Sequence, residues 1–224
     1  MRVLIDGDIV TYRASCSSEQ EESWIACVRA DKTIEEILVA TEATEYTIFL
    51  TGTGNFRREL SPDYKANRPE TRPAHWAVVR QYLINNHNTV VCDGKEADDE
   101  LGIQQDKETG TTILCSIDKD LRQIPGRHYN FVKKEFFEVT KCDGKKFLYL
   151  QALIGDRNDN IFGVHGIGPK KADRAFEGLT TELEWYNKCL ELYDSPERLH
   201  LNLKLLYIHQ KPNDSWEVPN GNKD

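Results

Sequence analysis

Four short apolar, β-branched runs punctuate the first half of the chain, and each stops abruptly in polar residues. They are MRVLIDGD at the start, EYTIFLTGTGN near residue 46, NTVVCDGKEADD near residue 88 and TTILCSIDKD near residue 111. Runs of this length and composition read as buried strands. Between them, residues 33–43 (TIEEILVATEA), PAHWAVVRQYLINNH with apolar positions at Trp76, Val79 and Leu83, and ADDELGIQQDKE carry helical spacing. Alternation of this kind predicts an α/β fold built on a parallel, doubly wound sheet flanked by helices. In such sheets ligands gather beyond the carboxyl ends of the strands.

From residue 147 onward the spacing is helical. FLYLQALIG and PKKADRAFEG flank a glycine turn, and ELEWYNKCLELY and ERLHLNLKLLYIHQ are amphipathic. The expected division is therefore an α/β layer over residues 1–146, a helical portion over 147–210 that can share its core, and a turn-rich tail over 211–224 that frays.

Composition narrows the class. With 39% hydrophobic and 29% charged residues among 224, the chain can bury a substantial core. Its six cysteines form no CxxC pair and no zinc-like spacing, and Cys92 and Cys115 sit inside apolar runs as small core residues. No signal peptide and no long apolar segment is present, so a reduced, cytoplasmic protein away from membranes is expected. A net charge of -8 speaks against a plain nucleic-acid binder.

The acids are not scattered. Asp6 and Asp8 follow the first run, Glu96, Asp98 and Asp99 the third, and Asp118 and Asp120 the fourth, while Asp156 and Asp159 precede the glycine turn. Singly, such residues cap helices or end strands. A parallel sheet, however, brings several of them to one edge, where like charges are costly unless a cation sits among them. Hard divalent ions such as Mg²⁺ or Mn²⁺ take all-oxygen ligand sets, and a pair of them serves phosphodiester hydrolysis. These nine acids exceed the whole net charge, so the remaining surface is close to neutral once they face metal.

Two stretches suit phosphate. GVHGIGPKKA is neither a Walker A loop nor a dinucleotide fingerprint. Gly163, Gly166 and Gly168 allow a turn whose N–H groups approach an anion, Pro169 opens the next helix, and Lys170 and Lys171 add charge. A plain hairpin between helices is the alternative. NFRRELSPDYKANRPETR is the densest basic stretch, with Arg57, Arg58, Lys65, Arg68 and Arg72 interleaved with Phe56 and Tyr64. Aromatic faces stack on bases and guanidinium groups pair with phosphates, although a solvated loop has the same composition.

Taken in order, LIDGD, FRRELSPDYKANR, KEADDELG, SIDKDL and LIGDRNDNIFGVHGIGPKKA resemble the flap endonuclease family. These are structure-specific 5′-nucleases that include the 5′→3′ exonuclease domains of bacterial DNA polymerases and free-standing phage exonucleases. The DGD and DKDLRQIPG forms are most similar to the phage type. The resemblance implies a PIN-like nuclease domain followed by a helix–three-turn–helix duplex grip. It implies a Mg²⁺- or Mn²⁺-dependent 5′→3′ exodeoxyribonuclease of DNA replication or repair, with flap or structure-specific endonuclease character and two ions. Asp6, Glu96, Asp98, Asp99 and Asp118 would hold or orient the first ion, with Asp8 beside them, and Asp120, Asp156 and Asp159 would serve the second. Lys65 would reach the scissile phosphate with help from Arg68, Arg57 and Arg58 would contact DNA, and Gly163 through Lys171 would grip the duplex. Substrates would be duplex 5′ ends, nicks, gaps or flaps, and RNA/DNA hybrids, met by a monomer.

Two departures accompany this. The family's aspartate at the end of the second strand is replaced by Thr51, Gly52 and Thr53, so Asp8 or water would have to substitute. Only residues 69–95 fill the span of the family's arch, which predicts an open site. A competing reading is a branched-DNA binding protein with a decayed metal site. A metal-dependent phosphotransfer or signalling domain explains neither the basic loop nor the glycine turn.

Overall fold

The computed structural model describes residues 1–69, 71–108 and 110–220. In chain order the elements are β1 (Arg2–Asp6), α1 (Gly7–Ser17), α2 (Ser23–Thr41), β2 (Glu45–Thr51), the short α3 (Phe56–Leu60), α4 (Trp76–Asn86), β3 (Thr89–Cys92), α5 (Ala97–Lys107) and β4 (Thr112–Cys115). A single 3₁₀ turn (Asp120–Gln123) leads to β5 (Gly126–Asn130) and β6 (Glu135–Val139). Then come α6 (Lys141–Ile154), β7 (Gly155–Asp156), β8 (Ile161–Phe162), α7 (Pro169–Ala175), α8 (Glu182–Leu192) and α9 (Pro196–Leu206).

Among the described residues the main sheet runs β3-β2-β1-β4-β5-β6, parallel except for the antiparallel β6 edge. This is the α/β class expected. Val3, Leu4 and Ile5 of β1 are wholly buried, as a central parallel strand covered by helices on both faces requires. Register then builds the site. Ile5 lies opposite Ile48 of β2 and Cys115 of β4, so Asp6, Thr51 and the residues after Cys115 emerge at the same edge.

Among the elements the periodicity does not show are α1, β5 and β6. The buried side of α1 consists of Gly7, Val10, Thr11, Ala14 and Ser15, too small and polar to mark a stripe. Helix α2 begins at Ser23, ahead of the expected 33, because its first turns bury the small Ala26, Cys27 and Ala30. Strands β5 and β6 pair as a hairpin at the sheet edge, where Phe136 stays half exposed.

The helical portion packs its own cluster around Tyr149, Trp185, Phe176 and Leu203. Ile208, just beyond α9, instead enters the cluster of Leu4, Leu114 and Leu121 beneath the sheet. The segment expected to fray is extended but anchored. Trp216 is buried against Tyr186 and His200, and its Nε1 donates to Tyr149 Oη at 3.2 Å. An aromatic this size finds enough apolar partners to offset the entropy of ordering a tail. Residues 221–224 lie outside the described residues.

Candidate active site

Asp6 ends β1 and caps α1. Its Oδ1 accepts Ile9 N at 3.1 Å and its Oδ2 accepts Ser116 Oγ at 2.6 Å. Burial, then the neighbouring Asp8, and finally Asp118, push its carboxyl up to about 7 despite those donors. Asp8, in the first turn of α1, accepts Thr51 N at 3.1 Å and lies 3.5 Å from Arg80 Nη1. Beyond β4, Asp118 accepts Asp120 N at 2.8 Å. Asp120 accepts Gln151 Nε2 at 2.7 Å, and burial and Asp118 push it up to about 7, with Lys119 opposing them.

Helix α5 delivers the third group. Burial, then Asp6, Asp118 and Glu96, raise the Asp98 carboxyl well above the usual carboxylate range, and that carboxyl makes no hydrogen bond among the described residues. Glu96 is opposite in sign: burial raises it, but the charges of Lys65 and Arg57 win and hold it below its ordinary value. Its carboxylate accepts Asn55 Nδ2 and Tyr64 Oη, both at 3.0 Å, and pairs with Lys65 Nζ.

The fourth group follows α6. Asp156 accepts Asn158 N at 2.8 Å and Lys119 Nζ at 3.1 Å. Asp159 pairs with Arg68 Nη2 at 2.6 Å and lies 3.6 Å from Lys65 Nζ. Lys65 is held by its backbone, with N donating to Asp159 O at 3.0 Å and φ at +57°. That left-handed geometry costs a non-glycine residue about 1 kcal/mol or more, a strain found where surroundings fix a functional side chain.

All these donors are carboxylate oxygens, four of them (Asp6, Asp8, Asp98 and Asp120) pushed upward by burial and by neighbouring acids, which is the chemistry of a hard-cation site. Among the described residues, no three acidic, histidine or cysteine side chains are already gathered into a ligand set. Lys65 and Lys119 instead lie between acids of different segments. The residues fit a divalent cation by charge and donor type, and loading requires those ammonium groups to give way.

Comparison with known proteins decides the family. The family described as "5'-3' exonuclease, N-terminal resolvase-like domain" matches residues 1–148. The chain belongs to this family. A flap endonuclease Xni of Shewanella baltica is 32% identical over 133 residues, covering 53% of this chain and 51% of that protein. The chain thus spans about half the length of the first curated relatives it matches. A 5'-3' exonuclease of Bacillus subtilis is 26% identical over 238 residues, covering 91% of this chain and 74% of that one. Among solved structures, T5 5'-exonuclease with bound zinc superposes with a TM-score of 0.74 at 21% identity, covering 92% of this chain and 89% of that one. The catalytic core of Rad2 in complex with DNA superposes with 0.56 at 14% identity, covering 97% and 83%. Both share the fold.

Three expectations drawn from the family pattern need correction. Asp99 cannot hold metal. It is wholly buried, and its two oxygens accept Arg57 Nη1 and Nη2 at 2.7 and 2.8 Å, Glu96 N at 3.0 Å and His209 N at 3.1 Å. Those donors use up the lone-pair sites of a carboxylate. Arg57 in turn cannot reach DNA. It is 2% exposed, with Nε and Nη2 also donating to Leu205 O at 2.8 Å and Tyr207 O at 2.6 Å. Gly163 is a packing glycine, since a Cβ there would lie 2.3 Å from Leu153 O. Gly166, at φ +76°, and Gly168 face open space, and Lys170 and Lys171 are exposed, with Lys171 Nζ donating to Gly166 O at 2.8 Å. Arg58 is exposed as well.

The empty acid position has a physical reason. A Cβ at Gly52 would sit 2.3 Å from Asp93 Oδ1, which accepts Thr53 N at 2.7 Å. Sequence reasoning also missed Lys119, Arg80 and Ser116. Lys119 carried a signal, standing between two aspartates in DKD. Ser116 follows from the β1–β4 register, and nothing local marks Arg80.

Proposed function

We propose that the chain is a divalent-metal-dependent 5′→3′ DNA exonuclease with flap or structure-specific endonuclease character. The observation carrying this reading is the convergence of carboxylates from four separate segments at the carboxyl edge of β1 and β4, with Lys65 held among them. Asp6, Asp8, Glu96, Asp98 and Asp118 are the proposed ligands of one Mg²⁺ or Mn²⁺ ion, and Asp120, Asp156 and Asp159 of a second. Two such ions, when bound, supply an activated water and stabilise the leaving oxygen. The protein's own groups do the rest. Lys65 and Arg68, freed from Glu96 and Asp159, hold the scissile phosphate and offset its growing charge. Gly166, Gly168, Lys170 and Lys171 take the duplex backbone at a fixed distance from the cut. Substrate structure rather than base sequence sets specificity on this reading.

Between α3 and α4 there is a turn over residues 62–67 and no further helix among the described residues. This supports an open site that accepts duplex ends, nicks and gaps more readily than long threaded flaps. The six cysteines are free, and no helix among the described residues is long and apolar enough to cross a membrane.

A duplex labelled at its 5′ end, incubated with Mg²⁺, Mn²⁺ or EDTA beside an Asp118→Asn control, tests the proposal. Metal-dependent release of short labelled products by the wild type alone supports it. Tight binding to ends and flaps without cleavage favours the binding-protein reading, for which the position of Gly52 is the specific observation.

A further inference from the structure

The basic stretch promises two stacking faces, and the fold uses both. Tyr64 is buried with its hydroxyl between Glu96 and Asp159. Phe56 is packed between the Arg57 guanidinium, 4.5 Å from its centroid, and the His209 ring at 4.6 Å. Trp76, the first residue of α4, is only partly buried. Arg72 lies 4.7 Å from its centroid and Arg80 5.5 Å. Arg72 precedes the helix, so helical spacing does not impose its contact; it is exposed and has no carboxylate partner among the described residues.

Position gives this group its meaning. Arg80 Nη2 donates to Thr51 O at 2.5 Å while Nη1 faces Asp8, so Asp8, Arg80, Trp76 and Arg72 form an unbroken run out of the acid cluster. That run leaves on the β2 side of β1. Asp118, Asp120 and, through Lys119, Asp156 lie on the β4 side, the side from which the glycine turn is reached. A strand gripped at the turn and crossing the acids therefore emerges over Trp76. An indole flanked by cations suits a base stacked beside its phosphates.

We propose that Trp76, with Arg72, is a stacking platform for a nucleotide of a single-stranded 5′ extension on duplex DNA. This deepens the nuclease reading and rests on it for the path of the strand.

The test is equilibrium binding in EDTA of two probes, a blunt duplex and the same duplex with a 5′ single-stranded extension. Trp76→Ala is expected to weaken binding of the extended probe by about tenfold and of the blunt probe by less than about twofold. Trp76→Phe, which keeps a ring, is expected to restore most of that loss. Arg72→Ala, at an exposed position, is expected to lower the salt slope for the extended probe by about one. Equal losses on both probes, or no loss on either, overturn the platform. Failure of the wild type to bind either probe overturns the platform, while the nuclease reading stands or falls on 5′-label release with Mg²⁺. Extension-specific loss in a protein that never releases a 5′ label leaves the platform standing and removes the nuclease reading alone.

Discussion

Asp98 and Asp99 share one turn of α5, yet burial and the acids around it push Asp98 upward, while Arg57 holds the wholly buried Asp99 below the usual range. The difference lies in what each side chain faces. Asp98 faces Asp6, Asp118 and Glu96, with Lys65 as its counter-charge. Asp99 faces the opposite way, into a clasp in which Arg57 joins α3, α5 and the segment from Leu205 to His209. One region is left electrostatically unsatisfied where a cation is proposed to bind. The region behind it is satisfied throughout and fixes the first in place. The lesson is that a motif of adjacent acids can divide its labour by helical phase alone.

The largest effect expected from breaking this pairing is chemical. Asp98→Asn should slow single-turnover cleavage of a 5′-labelled duplex by about a thousandfold or more, since it removes charge from the metal-facing side. Cleavage near the wild-type rate would place Asp98 outside the site. The clasp is read through stability. Arg57→Met alone should cost about 3–5 kcal/mol in urea unfolding, because it strands a buried carboxylate. Arg57→Met with Asp99→Leu should recover part of that loss, since the charge is removed while the backbone partners of both side chains stay unpaired, and a double variant costing the full sum of the two single losses would refute the pairing.

The division was only partly legible in the sequence. The four strands of the parallel layer were, because runs such as Val3–Ile5 are buried on both faces and stay apolar throughout. The gathering of Asp6, Asp118 and Asp120 followed from strand order, since parallel neighbours end at one edge. The clasp was not legible. An arginine in a basic stretch looks like a phosphate contact, and nothing nearby in sequence shows that Leu205 and Tyr207, some 150 residues away, cover it. Tyr64 was misread for the same reason, its burial being set by the helical cluster it joins. Helix α1 and the β5–β6 hairpin escaped because their buried faces are small or one-sided.

A smaller effect separates the acids from the buried histidine at the far side of the sheet. His128 donates to or accepts from no acid; its Nε2 lies 2.8 Å from Ile124 O, and burial pushes it down to about 4. The unfolded chain takes up this proton as pH falls through about 6.5 and the fold only near 4, so the unfolded state binds more protons between them. Stability should therefore fall with acidification across that window by about 3 kcal/mol, and His128→Phe should flatten that part of the profile. Asp6 and Asp120 have the opposite sign. Their folded values near 7 lie above the ordinary 3.8, so the metal-free fold gains from their protonation as pH falls, and divalent-ion affinity weakens. Calorimetry in buffers of different ionisation heat should show proton release on ion binding at pH 6 that disappears by pH 8.

The smallest effect concerns the duplex grip. Replacing Lys170 and Lys171 with alanine should lower the salt slope of duplex binding by about two without altering the urea midpoint. An unchanged slope would move the duplex elsewhere.

The most direct test of the division within α5 is metal-free urea unfolding at pH 8 of Asp98→Asn and Asp99→Asn side by side. The account predicts shifts of opposite sign: Asp98→Asn raises the midpoint by relieving repulsion, and Asp99→Asn lowers it by breaking the clasp. Shifts in the same direction would contradict it.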